Sequence, residues 1–490
     1  MKILLVYPDY EETFWSFKRV LRILGKKASF PPLGLLTVAA MLPNDWEKRL
    51  VDMNTDILKD EYIKWADYIF ISAMIVQKES VRRIINKVKK LGKPIVAGGA
   101  LFTTGWEEFT DVDHLVLGEV EETFPAIVED LKNGALKKMY ASNGFPDIKE
   151  VAIPDWNLIN VKNYNSMCVQ FSRGCPFNCE FCDVVQLNGR VPRMKSKEQL
   201  IAELEALYRR GWRAGVFFVD DNFIGNKAIL KKEYLPAIIE WQKKKKHPFT
   251  FNTQVSINLA DDKKLMELMV EAGFTAVFIG IETPDADGLE ECGKFQNKNR
   301  NLIESVKIIQ NSGMEVQGGF IVGFDSDKVS IFQRQIEFIQ KSGIVTAMVG
   351  LLTALPKTRL YQRLKETNRL TKRTTGDNTK TAVLNFIPKM DKNVLLNGFK
   401  KISSTIYAPK SYYERIRTLL REYKPVNRKK QKIRIYHIRA LIGSIWWLGI
   451  KQRGRHYFWK LILWSILKRP SLFPYAIGFS LAGIHFRSIS

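Results

Sequence analysis

Phe171-Ser172-Arg173-Gly174-Cys175-Pro176-Phe177-Asn178-Cys179-Glu180-Phe181-Cys182-Asp183 carries three of the chain's five cysteines, spaced C-x3-C-x2-C. A [4Fe–4S] cube ordinarily takes four thiolates, so three closely spaced ones hold three irons and leave the fourth open to a ligand that is not protein. Zinc and redox-active thiol pairs use the same residue type, but no fourth ligand is near in sequence, His114 and His247 both being distant. Five cysteines in 490 residues do not make the disulfide framework of a secreted protein. Cys168 and Cys292 stand alone and read as buried or incidental.

The Ser172-Arg173-Gly174 lead, the cysteine spacing and Phe181 directly before the last cysteine together resemble the signature of the radical S-adenosylmethionine superfamily. The resemblance implies a cluster held by Cys175, Cys179 and Cys182, with Phe181 near the adenine of S-adenosylmethionine.

Apolar runs at residues 167–171, 216–222, 249–257, 276–282, 316–323 and 346–352, with helical segments such as 197–208 between them, predict six parallel strands. They fit a partial (β/α)6 barrel whose active groups lie at strand carboxyl ends. Those ends hold the cysteine loop, Asp220 to Asn222, Gln254 and Ser256, Glu282, Gly318-Gly319 and Thr353. Any one of them fits ordinary capping; their shared position after successive strands points to one mouth. The superfamily resemblance implies that Asp220 and Asp221 lie by the methionine amino group and Glu282 on the adenosine side, with Gln254, Ser256 and Gly319 also at the S-adenosylmethionine site. Gln254 stands where many such relatives carry Glu, which bears on either a cofactor contact or the substrate.

Ahead of the barrel, strand-like runs at 2–7, 49–53, 68–73, 94–98 and 114–117 alternate with helical segments at 33–42, 78–91 and 121–131. They predict a doubly wound, Rossmann-like parallel sheet with a ligand at its carboxyl edge. Gly98-Gly99 is either a plain turn or a close approach for a bulky ligand. Pro31-Pro32-Leu33-Gly34, Ala97-Gly98-Gly99-Ala100 and Gly118-Glu119-Val120-Glu121 resemble the cobalamin-binding domain that precedes many radical S-adenosylmethionine enzymes. The resemblance places Leu33, Gly34, Ser72, Gly98, Gly99 and Glu119 at cobalamin. The Asp-x-His-x-x-Gly motif that supplies a histidine to cobalt in some cobalamin proteins is absent, because His114 follows Asp113 directly. Histidine ligation is therefore not expected, and His114 reads as a strand residue.

The runs 216–226, 278–285, 319–325 and 350–360 are similar to the cobalamin-dependent radical methyltransferases that include the hopanoid C-2 methylases, over roughly residues 1–420. The likeness implies methylation of an unactivated carbon of a hydrophobic, lipid-like substrate through a 5′-deoxyadenosyl radical and methylcobalamin. It also implies a reducing partner such as flavodoxin or ferredoxin. Cyclisation, rearrangement, or modification of RNA or protein by the same cofactors is the alternative. Methylthio transfer ordinarily needs a second cluster, for which Cys168 and Cys292 are too few.

The net charge of +25 is unevenly spread: residues 410–490 hold eighteen Lys and Arg against two Glu, hence +16 of it. There Asn427-Arg-Lys-Lys-Gln-Lys-Ile-Arg434 precedes Trp446-Trp447, Tyr457-Phe458-Trp459, Trp464 and Phe473-Pro474-Tyr475. The apolar runs 461–467 and 475–484 are too short or interrupted to span about 30 Å of hydrocarbon. They fit interfacial helices on an anionic membrane better than a nucleic-acid surface, for which no fold signature exists. Domains are expected at 1–135 (cobalamin), 136–165 (linker), 166–365 (barrel), 366–426 (cap) and 427–490 (basic aromatic helical tail), giving an α/β body with a mainly helical C-terminal region. The polar stretch 371–390 either caps the mouth or forms a surface loop. Met1 to Tyr7 is followed by Pro-Asp-Tyr-Glu-Glu rather than a longer apolar run, so no signal peptide is read. A cytoplasmic location, at the inner face of the membrane, is expected.

Overall fold

Ile3, Leu4, Leu5 and Val6 are fully buried, the continuous apolar run that a parallel strand needs when helices cover both its faces. The computed structural model describes residues 1–142, 144–149, 151–371, 374–379, 384–425 and 435–489; the basic run at 427–434 lies outside them. The first sheet holds β1 (Lys2–Tyr7), β2 (Glu47–Asp52), β3 (Tyr68–Ser72), β4 (Ile95–Gly98), β5 (His114–Leu117) and β6 (Met139–Ala141). Its order is β2-β1-β3-β4-β5-β6, all parallel. The chain leaves β1 toward β2 and returns to β3 on the other side. The carboxyl ends of β1 and β3, Tyr7 and Ser72, thus flank the switch point where open α/β sheets bind ligands. β6 extends this sheet from within the stretch that reads as a linker.

The second sheet is formed by β7 (Met167–Val169), β10 (Gly215–Phe218), β11 (Thr250–Gln254), β12 (Phe274–Glu282), β13 (Glu315–Val322) and β14 (Ala347–Leu351). Sequence neighbours are spatial neighbours and all are parallel, as a partial (β/α)6 barrel requires. A small antiparallel pair, β8 (Ser172–Arg173) with β9 (Arg193–Met194), flanks the cysteine loop. β7 and β14 are the two edges of the barrel sheet. Toward the β14 edge, the Trp15 indole N–H lies 3.1 Å from the Met348 sulfur.

The C-terminal helices correct one expectation. The run 475–484 belongs to the helix Phe473–Ile489, whose Phe479, Leu481 and Phe486 are buried. Phe486 stacks on Phe14 at 4.8 Å, and Tyr412 donates to the Phe479 carbonyl at 2.7 Å. This helix is core, so its apolar residues are not free for a membrane. Its length also falls short: among the described residues no helix is long and apolar enough to cross a bilayer.

Candidate active site between the sheet and the barrel mouth

The buried strand β7 delivers the cysteine loop, and the end of β10 holds it in place. Asp220, fully buried, accepts from the Ser172 hydroxyl at 2.7 Å and from the Ser172 and Phe171 amides. Asp221 accepts from the Gly174 amide at 2.8 Å and the Asn188 side chain at 2.9 Å. Both aspartates thus hold the loop in place from the end of β10. Burial pushes the Asp220 carboxyl up to about 7 against these hydrogen bonds. Gly174 sits at φ +99°, where a Cβ would lie 2.8 Å from the Val191 carbonyl, so only glycine allows the loop to close this tightly.

Burial raises the pKa of all three loop thiols; the charge of Cys179 adds to this at Cys175 and Cys182, and Lys294 opposes it at each. Among the described residues no three His, Cys, Asp or Glu side chains converge on one ion. Phe181 is half-buried beside Phe324. Glu282, at φ +63° beside a register shift in β12, pairs with Lys294 at 2.6 Å. Ser256 bridges strand ends, receiving the Asn222 amide at 3.4 Å and donating to Asn258 at 2.7 Å. A Cβ on Gly319 would meet the Phe278 ring at 2.8 Å, and Gln254 faces the barrel lumen.

Lys294 is a site residue that no sequence pattern marks, being one lysine after Cys292 and Gly293. Burial disfavours its charge, but the Glu282 carboxylate, and the negative charge Cys179 carries when ionised, outweigh that and hold it protonated. A fixed positive charge this near a cluster favours the reduced state. Lys294→Gln keeps a donor for Glu282, and a potentiometric EPR titration should show the cluster potential moved to more negative values.

Between the carboxyl edge of the first sheet and the barrel lies a cavity of about 640 Å³, lined by Tyr7, Ser72, Leu33, Gly34, Phe217 and Trp15 among others. The Cβ position of Gly34 is open space, whereas one on Gly99 would lie 2.8 Å from the Ser72 hydroxyl. Gly98 carries the turn beneath, its Cβ position 3.0 Å from the Val116 carbonyl. Gly34 thus leaves the cavity wall bare where a side chain would fill it, while Gly98 and Gly99 let the β4 turn pack directly against Ser72 and Val116. Gly376 to Thr379 cover the cavity from the far side, so part of the 371–390 stretch closes over it. Glu119 stands apart: it is buried and pairs with Arg173 at 2.6 Å and with Arg193. His114 begins β5 on the opposite edge, its Nδ1 2.8 Å from the Lys137 carbonyl.

Residues 169–339 match the family model of the radical SAM superfamily, residues 26–128 that of the B12 binding domain, and residues 358–490 a domain of unknown function, DUF4070. The hopanoid C-2 methylase of Rhodopseudomonas palustris is 32% identical over 95% of this chain and 90% of its own length. The chain belongs to the cobalamin-dependent radical S-adenosylmethionine methyltransferases. An uncharacterized methyltransferase of Synechocystis, sll1242, is 40% identical to this methyltransferase over 99% of the chain and 91% of its own. Two solved structures share the fold. The cobalamin-dependent S-adenosylmethionine radical enzyme OxsB, with aqua-cobalamin and S-adenosylmethionine bound, has a TM-score of 0.65 at 15% identity, covering 99% of this chain and 78% of its own. The methyltransferase TsrM of Kitasatospora setae, with cobalamin and a [4Fe–4S] cluster bound, has a TM-score of 0.59 at 13% identity over 100% and 99%. The cofactors of this methyltransferase are therefore a [4Fe–4S] cluster, S-adenosylmethionine and cobalamin, and its residues fit them: three thiols on one pinned loop, and a cavity at the switch point whose wall Gly34 leaves bare.

Proposed function

We propose that this enzyme methylates an unactivated carbon of a hydrophobic, lipid-like substrate at the cytoplasmic face of a membrane, with electrons from a flavodoxin- or ferredoxin-type carrier. The observation that carries the substrate class is the part of the cavity wall away from the proposed cobalamin seat, made by Trp15, Phe30, Phe217 and Met348; the hopanoid methylase relative supports it. Cys175, Cys179 and Cys182 would hold the cluster, Phe181 and the β12 end would bound S-adenosylmethionine, and Leu33, Gly34, Ser72 and the Gly98-Gly99 turn would seat cobalamin. When bound, the cluster and S-adenosylmethionine supply a carbon radical that removes hydrogen from an unactivated carbon, and cobalamin supplies the methyl group. The chain orients these partners, and its aromatic walls and the 374–379 segment exclude water.

Anaerobically reconstituted enzyme given cobalamin, methyl-labelled S-adenosylmethionine and a total lipid extract should move label into a lipid. Formation of 5′-deoxyadenosine with no labelled product would favour cyclisation or rearrangement instead.

The membrane reading rests on the helices ahead of the buried last one. Trp446 and Trp447 are nearly half exposed and Leu467 is 77% exposed, a clustering of large apolar side chains that marks an interaction surface. Lys451 lies 5.0 and 4.9 Å over the two tryptophan rings, placing cation and aromatic together as an anionic headgroup layer favours. Changing Trp446, Trp447 and Leu467 together to serine should lower flotation with phosphatidylglycerol vesicles by about tenfold or more while leaving the melting temperature in place. Surface substitutions are the right probe, since deleting the tail removes the buried helix Phe473–Ile489 as well.

A further inference from the structure

Below the first cavity lies a second, of about 940 Å³, which shares Trp15, Phe30, Phe217 and Met348 with it. Its inner wall is the barrel lumen, and its outer wall comes from two places outside the barrel. One is the segment after β1, through Phe17, Leu21 and Leu24. The other is the C-terminal domain, through Tyr475, Gly478 and Phe479, which belong to the region whose family model is a domain of unknown function.

Most of the lining is apolar, but its polar residues gather on the barrel strands. Asn252, Glu315, Gln317 and Thr346 all line it. Glu315 opens β13, at the amino end of the strand; its Oε1 lies 3.4 Å from both the Gln317 side-chain nitrogen and the Thr346 hydroxyl. Among the described residues no lysine or arginine lines it, and His437 stands on the outer helix, so no described cation on this floor would neutralise an anionic group. The Gln317 side-chain amide both donates and accepts, and burial pushes the Glu315 carboxyl beside it up to about 7, so near neutral pH a protonated, donating form is populated there too. A donor-and-acceptor floor without cations matches a hydroxyl, which itself does both.

We propose that the C-terminal domain is the outer wall of the substrate chamber, and that this chamber takes an elongated apolar molecule whose hydroxyl end is held by Glu315 and Gln317. This rests on the hydrophobic-substrate reading and deepens it. The four shared residues form the waist through which the apolar body reaches the space between sheet and barrel mouth. Gly478 sets the room available at the outer wall: its Cβ position has no atom within 4 Å, so a side chain there would project into free volume rather than into packed neighbours. The same domain presents the exposed tryptophans, and the helix Ile435–Ser444 carries His437 on the chamber and exposed Ile438 and Ile442 outside it.

The test uses full-length reconstituted enzyme and two tritiated probes delivered on cyclodextrin, 1-hexadecanol and hexadecane. Wild type should bind the alcohol about tenfold more tightly than the alkane, the effect of a satisfied buried hydrogen bond. Glu315→Leu should equalise the two, and Gly478→Phe should weaken both by about tenfold; Gly478→Leu gives the same reading should the larger residue hinder folding. Equal binding of alcohol and alkane by wild type would overturn the hydroxyl assignment, and unchanged binding in the Gly478 variants would overturn the chamber. The readout is binding, so a failure of methyl transfer leaves it standing, and its own failure leaves the methyltransferase chemistry untouched.

Discussion

Cys179→Ala is expected to lower 5′-deoxyadenosine formation by more than about a thousandfold, roughly 4 kcal/mol of barrel-mouth chemistry, and to leave the protein folded. The loop that carries Cys179 is anchored independently of the thiol. The Glu180 amide donates to the Cys292 carbonyl at 2.9 Å, and the Glu180 carboxylate holds Arg363 through contacts of 2.6 and 2.9 Å. Arg363 in turn meets Asp325 at 2.9 Å, so the loop stays tied to the helix Arg359–Glu366 without the cysteine. What disappears is one of the three proposed iron ligands, and the neighbouring Cys292 is no ready replacement, being buried with its thiol 3.6 Å from the Leu289 carbonyl. Cys292→Ala is the matched control, costing about 1 kcal/mol of packing with iron content retained. Iron and sulfide analysis together with 5′-deoxyadenosine assays separate the two; full turnover by Cys179→Ala would end the radical assignment.

The parts of the molecule legible from sequence are those written locally. The C-x3-C-x2-C spacing needs no long-range information, and the barrel strands announce themselves as short apolar runs because both faces of a parallel sheet are covered. The first five strands of the six-stranded first sheet were readable for the same reason, whereas β6 is only three residues long. Roles that depend on distant partners were not readable. Asp220 and Asp221 sit at a strand end, as functional residues do, yet the backbone amides they accept from lie some 47–49 residues away. The run 475–484 looks interfacial until Phe14, 472 residues from Phe486, is found against it. The segment between β1 and the helix Leu33–Met41 carried one usable signal. A connection of that length is long for an α/β unit and rich in aromatics, which marks a binding loop, and Tyr10, Trp15 and Phe30 do line the cavity.

Glu119 separates a cofactor contact from a structural joint, and the geometry favours the joint. Its side chain is 7% exposed, and Arg173 and Arg193, which it pairs with, are 13% and 16% exposed. Arg173 is part of the lead into the cysteine loop and Arg193 lies on β9, so one carboxylate from the cobalamin domain fastens both strands of the β8–β9 pair. Glu119→Ala would leave two nearly buried guanidinium groups short of a partner. Removing one member of such a pair costs about 3–5 kcal/mol. The lower figure applies here, because Arg173 keeps Glu121 at 2.6 Å and Arg193 keeps the Pro146 carbonyl at 2.6 Å. A loss of about 3 kcal/mol corresponds to a fall of about 6–12 °C in the melting temperature of a domain of this size. Iron retention should fall with it, since the loop loses its tether to the first domain. Glu119→Gln keeps one acceptor and should lose about half as much. If cobalamin affinity drops in Glu119→Ala while the melting temperature and iron content hold, the carboxylate touches the cofactor directly and the joint assignment fails.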